Sequence, residues 1–276
     1  MQLYESRIRG LAELTRAIGD ITTEIAARVN SSTGNPVRVL ELGCGFGVVL
    51  LQLMRRFGDK VELHGVNYSA AGGDENMMRE TARELKIFSD EEMEDSQMPC
   101  LRFFDACAAW PYPESYFDMI ISQSSFIWFP DKIAALELIN RVLKHDGVAR
   151  IDMGIERGSL PPEYRTSILI WDRGRLIPFW EYIAHFPNLR MKRPDQSRPA
   201  NWFIKLTRGK NTHPSKQAFL EMRHKDNFDM NLELVTRIDL REIHEKWGGF
   251  QSVYRLKNQI TPRWPRDYAT SVPFQS

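Results

Sequence analysis

Three glycines on alternate positions, Gly43, Gly45 and Gly47, close the stretch Val37-Arg-Val-Leu-Glu-Leu-Gly-Cys-Gly-Phe-Gly-Val48. A short apolar run ending in an acid, then glycines, then an apolar helix start, reads as a buried strand turning into a helix around a nucleotide-sized pocket. The missing side chains let a ligand approach the backbone and permit dihedrals closed to other residues. Glu41 stands at the strand end, beside that opening. A dinucleotide fingerprint needs G-x-G-x-x-G and a phosphate loop needs G-x-x-x-x-G-K-[ST]. Val48 occupies the third dinucleotide position and no Lys follows, so neither pattern is met.

The elements that position this turn follow from periodicity. Leu3, Leu11, Leu14, Ile18, Ile21, Ile25 and Val29 describe an amphipathic helix over 3–29, broken near Gly10. Ser31-Ser-Thr-Gly-Asn-Pro36 separates it from the first strand, and Phe46–Phe57 is the helix after the glycines, closed by Gly58. Val61–Val66 is a second strand, 74–88 a polar helix, and Cys100–Phe104 a third strand ending at Asp105-Ala106. Phe117–Gln123 is a fourth strand, Lys132–Lys144 a helix, and Val148–Met153 a fifth strand. Strands alternating with helices predict right-handed crossovers and a parallel sheet.

The motif E-L-G-C-G-F-G at 41–47, with these landmarks in this order, resembles the class I S-adenosylmethionine-dependent methyltransferases, of the small-molecule type (methyltransferase domain types 11 and 25). The resemblance implies an α/β, Rossmann-like, doubly wound, mostly parallel seven-stranded sheet with an antiparallel last strand. It also implies S-adenosylmethionine as cofactor, with Glu41, Gly43, Cys44, Gly45, Gly47, Asn67, Tyr68, Asp105, Ala106 and Gln123 around it. In the family an acid ends the second strand and accepts from both ribose hydroxyls; here Asn67 offers one acceptor oxygen. Asp105 matches the family's acid for the adenine amino group, and Ser122–Ser124 stand under the cofactor. Arg237–Tyr254 looks like the last helix and sixth strand, joined by Gly248-Gly-Phe250, with 267–274 as the seventh strand.

The implied organisation is a helical segment at 1–36, a cofactor-binding core at 37–153, a substrate cap inserted at 154–236, and a C-terminal piece at 237–276 that completes the sheet. The cap segment is rich in aromatics and arginines, which suit an apolar acceptor carrying an anionic group. Phe126, Trp128, Trp171 and Arg173 are the expected acceptor contacts. Asp152, Tyr164, Glu181, Tyr182 and His185 could each accept a proton, but none has a partner in spacing, so no catalytic base is assigned. An N-P-P-[YF] tetrapeptide is replaced by Ser122-Gln-Ser-Ser125, which disfavours an adenine N-methyltransferase.

A chain of 276 residues with 42% apolar content can bury a full core. Cys44, Cys100 and Cys107 are an odd number without metal-ligand spacing, so neither disulfides nor a zinc site is expected. No leader or membrane span is read, and a cytoplasmic setting is expected. The net charge of +1 hides an asymmetry: residues 1–156 hold 16 Lys+Arg against 24 Asp+Glu, and 157–276 hold 21 against 12. Three readings stay open: methyl transfer to a small-molecule metabolite, methyl transfer to RNA or another polyanion held by the basic half, and a non-catalytic binding module. Oligomeric state is not encoded in any pattern here.

Overall fold

The computed structural model describes residues 9–32, 34–94, 96–153, 166–192, 194, 218–243 and 248–258. Two helices, α1 (Leu11–Ile18) and α2 (Thr22–Ser31), precede β1 (Val37–Leu42) and α3 (Val48–Phe57). Then come β2 (Val61–Asn67), α4 (Glu75–Glu84), α5 (Asp90–Glu94), β3 (Cys100–Phe103), β4 (Phe117–Ser122), α6 (Lys132–Val142) and β5 (Leu143–Asp152). No helix continues through Gly10, which is extended, and a second break that was not expected falls at Gly19-Asp20, where Gly19 takes φ 78° and Asp20 accepts from Thr22 and Thr23 at the start of α2. Gly10 caps α1.

Beyond β5 the described elements are β6 (Ile168–Asp172), β7 (Arg175–Pro178), α7 (Phe179–Tyr182), β8 (Leu189–Lys192), β9 (Phe219–Arg223), β10 (Leu232–Asp239) and β11 (Phe250–Leu256). Seven strands form one sheet in the order β3-β2-β1-β4-β5-β9-β8. β1 to β5 are parallel; β9 runs antiparallel to both β5 and β8. The expected sheet, seven-stranded and mostly parallel with its last strand in chain order reversed, is therefore present.

The residues that finish it are not the expected ones. Residues 232–239 are a strand where a helix was read from 237 onward, and β11 pairs with β10 and β6 in a separate four-stranded sheet, β10-β11-β6-β7. The sixth and seventh strands of the main sheet are β8 and β9, from within the segment read as a cap. The expected strand at 267–274 lies outside the described residues.

Strand alternation splits the apolar residues between two faces. Val37, Val39, Met119, Ile121 and Val148 meet α1 to α4 through Leu14, Ile18, Leu50 and Met78. Leu40, Leu42, Ile120, Ala149 and Ile151 meet α6 and the second sheet through Leu136, Ile139, Ile170 and Tyr254. The second sheet is pinned at the start of α6. Fully buried Lys132 donates to Phe129 O and Phe250 O at 2.8 Å and lies 3.3 Å from Ser252 Oγ, while Tyr254 donates to the Asp131 carboxylate at 3.0 Å. Burial pulls the Lys132 ammonium down to about 7. Three oxygen acceptors match its three protons and oppose that pull.

Candidate functional site

The strand order reverses between β1 and β4, which is where open parallel sheets of this kind hold ligands, outside the C-terminal strand ends. Glu41, Asn67, Phe103 and Ser122 stand at or next to those ends on four adjacent strands. Ser125 donates to Gly43 O at 3.1 Å and Ser122 to Leu42 O at 3.1 Å, so the loops after β1 and β4 are tied together.

The glycines differ in what they do. Gly43 adopts φ 71°, and a Cβ there would overlap Ser125 Oγ at 2.1 Å, so this glycine permits the tie to the β4 loop. Gly45 adopts φ 54°, but a Cβ there would meet nothing within 4 Å. The space above Gly45 is open, as a site for a ligand resting on backbone requires.

Glu41 lies on the α3 face of β1, 5% exposed, and its Oε2 is buried with no hydrogen-bond partner. Burial alone pushes its carboxyl up to about 8. Leaving such an oxygen unpaired costs about 1–3 kcal/mol. Asp105 follows β3 and is half-buried, with Oδ1 accepting from Cys107 N–H at 2.8 Å, an Asx turn that fixes the side chain. Tyr68 and Phe103, beside it on the ends of β2 and β3, are unusually exposed aromatics at 77% and 46%.

Asn67 is fully engaged by the protein itself. Its Oδ1 accepts from Gly45 N–H at 2.9 Å, and its Nδ2 donates to Gly45 O at 2.9 Å and Gly73 O at 2.8 Å. A carboxylate could not make the last two bonds, which explains an amide here in physical terms. Cys44 turns into the core against Gly65, 8% exposed, and burial holds its thiol well above the ordinary range. Only its backbone belongs to the turn, where its N–H donates to Val66 O and its carbonyl accepts from Gly47.

A family profile described as a methyltransferase domain matches residues 40–151. Over those residues the chain is similar to methyltransferases. The open face of Gly45 and the unpaired Glu41 oxygen fit S-adenosylmethionine, the methyl donor that such a domain implies. Asn67, with both ends taken, fits it less well. The chain is 28% identical to the aklanonic acid methyltransferase of Streptomyces sp. (strain C5) over 48% of this chain and 56% of that protein. It is 29% identical to an uncharacterized methyltransferase of Bacillus subtilis (strain 168), over 47% of this chain and 62% of that one. It is also 29% identical to a mitochondrial arginine-hydroxylase of Rattus norvegicus, over 47% of this chain and 32% of that protein. The chain thus spans about one third to three fifths of the lengths of these relatives.

The matched segment brings Glu41, Gly43, Gly45, Gly47, Asn67, Asp105, Ala106 and Gln123 to one edge of the sheet. The expected acceptor contacts are more scattered. Phe126 is fully buried against Phe129; Trp128 is half-buried against Gly248, with the Arg241 guanidinium 5.8 Å from its ring centre. Trp171 is buried in β6, and Arg173 sits at the tip of the β6-β7 hairpin with its side chain 90% exposed. Of the proton acceptors considered, Asp152 holds Ser124 N–H at 3.2 Å beside the β4 loop. Glu181 pairs with Arg175, Tyr182 donates to Met230 O, His185 is exposed, and Tyr164 lies outside the described residues. Ser125 and Gly73 were not singled out from sequence; the pair Gly72-Gly73 was the available signal, since a Cβ on Gly73 would strike Gly45 O at 2.1 Å.

Proposed function

We propose that the chain transfers the methyl group of S-adenosylmethionine to an O, N or C atom of a small-molecule metabolite. The observation that carries the donor half is the buried, unpartnered Glu41 oxygen beside the open face of Gly45. When bound, S-adenosylmethionine supplies a methyl group already activated on a sulfonium. The residues of this chain then have to hold and align the partners and exclude water. Glu41 and the Gly43–Gly47 turn hold the donor side, and Asp105 with Ala106 takes the adenine. Gln123 borders the loop that ties to Gly43. Trp128, Trp171 and Arg173 are the acceptor side of this reading, and a cytoplasmic setting belongs to it. The name of the Streptomyces relative, which acts on aklanonic acid, supports a small-molecule acceptor.

Calorimetric titration with S-adenosylmethionine and with S-adenosylhomocysteine tests the donor half. Micromolar, saturable binding that weakens about tenfold in Asp105→Ala, the loss of one hydrogen bond, is expected. A folded sample that binds neither ligand overturns the proposal. Acceptors are then screened by release of the homocysteine product, and a steep salt dependence of acceptor binding would move the reading to a polyanion.

One observation favours a second reading, a module that keeps the fold for another purpose. Asn67 spends its amide on Gly45 and Gly73, and one relative is named for hydroxylation instead of methyl transfer. Donor binding without turnover on broad acceptor panels would select it.

A further inference from the structure

At the opposite end of β5 from the donor site, three potential ligands converge. His145 lies near the start of β5, and His224 and Asp226 follow β9, whose antiparallel register (Val148 against Arg223) carries 226 back towards 145. Their ligand atoms all lie within 4.8 Å of one another. His224 Nε2 is 3.2 Å from Asp226 Oδ1, and His145 Nδ1 is 3.7 Å from the same oxygen. Donors about 2.1 Å from one ion and separated by these distances subtend angles of roughly 100° and 120°, near tetrahedral.

The tautomer of His224 sharpens the geometry. Its Nδ1 faces the carbonyl of Asn140 at 3.0 Å, an acceptor only, so Nδ1 carries the hydrogen. In the neutral ring Nε2 presents a lone pair to a carboxylate oxygen, a contact that either a proton on Nε2 or a bound cation satisfies. A backbone carbonyl holding the second ring nitrogen is how ligating histidines are oriented. The segment is also rigid before any ion arrives: the Asn140 side chain donates to Lys225 O and accepts from Lys225 N–H, both at 2.9 Å.

We propose that His145, His224 and Asp226 form a binding site for a borderline divalent transition metal of the zinc class, with water completing the shell. It would clamp the start of β5, the end of α6 and the turn after β9. Residues 145 and 152 are about 23 Å apart along an extended strand, so its role is structural and it lies away from the donor site. Cysteine spacing carries no trace of it, since none of the three ligands is a cysteine.

The test is calorimetric titration of the full chain, stripped with chelator, with Zn2+. About one equivalent is expected to bind and to raise Tm. His145→Ala and Asp226→Asn, both at well-exposed side chains, should each weaken binding roughly tenfold or more and leave S-adenosylmethionine binding unchanged. Co2+ should give a ligand-field spectrum without a thiolate charge-transfer band. No saturable binding, binding unchanged in His145→Ala, or a thiolate band from Cys100 or Cys107 would each overturn the proposal.

Discussion

Two glutamates on neighbouring strands meet opposite fates. Glu62, at the foot of β2, accepts from Arg38, Tyr116 and His64, each at 2.8 Å. Burial would raise its carboxyl, but those hydrogen bonds outweigh it and bring the group down to about 2. Glu41, at the head of β1, has one oxygen with no partner and is pushed up to about 8 by burial. At the feet the carboxylates are satisfied by the chain itself, and Asp118 with Lys144 continues the same pattern, while His64 Nδ1, on the ring that reaches Glu62, and the Tyr112 hydroxyl beside it are buried without a partner. The heads are left incomplete around open space. A polar group that folding leaves unsatisfied, among neighbours that are satisfied, marks where a ligand is to be added.

The largest test of this contrast is Glu41→Gln. With a folded pKa near 8 and an ordinary value of 4.5, the wild-type Glu41 binds its proton more tightly when folded, so its contribution to stability is present at low pH. That contribution is lost as pH rises from about 4.5 to about 8, on the order of 4–5 kcal/mol. Urea unfolding at a series of pH values should show this decline in the wild type and a flatter profile in Glu41→Gln. An unchanged profile would mean that Glu41 is partnered in solution. Next in size is Gly45→Ala, which places a methyl in the open space at φ 54°. Calorimetry should show roughly a hundredfold loss of donor affinity for about 1 kcal/mol of stability.

Asn67→Asp exchanges two donated hydrogen bonds for one carboxylate oxygen facing two carbonyls. Its unfolding free energy in urea titration should fall by about 2 kcal/mol; tighter donor binding at unchanged stability would instead restore the ribose role to this position. The smallest effect is expected at the foot. Glu62→Gln loses a network that is about one third exposed and therefore screened, worth about 1 kcal/mol or less, with donor affinity unaltered. A change in donor affinity there would erase the distinction between the two ends.

β1, β2, β4 and β5 were legible because their mostly apolar residues end in turn-forming or polar ones and stand in order between helical patterns. β8 and β9 were not, because Leu-Arg-Met-Lys and Phe-Leu-Glu-Met-Arg are short, and each contains charged residues. The helix read at 237 arose from starting the count too late. Leu232, Leu234, Ile238 and Leu240 alternate as a strand does once the irregularity between Leu234 and Thr236 is allowed for. At the site, glycine spacing and the order of landmarks located Glu41, Gly45 and Asp105. What Asn67 does was not readable, since its partner Gly73 is set by a turn and not by a motif. The solitude of Glu41 was equally hidden, because it depends on what fails to arrive beside it.

That β8 and β9 close the main sheet sets an order of events on the ribosome. Every described strand of the seven-stranded sheet has been synthesised by Arg223, before β10 or β11 exists. The β6-β7 hairpin, made earlier, must wait with one edge bare until Ser252–Arg255 arrive to pair with Ile168–Trp171. The nascent chain can therefore acquire its donor-binding half first, and its interval of greatest exposure to strand-edge aggregation falls between residues 178 and 252.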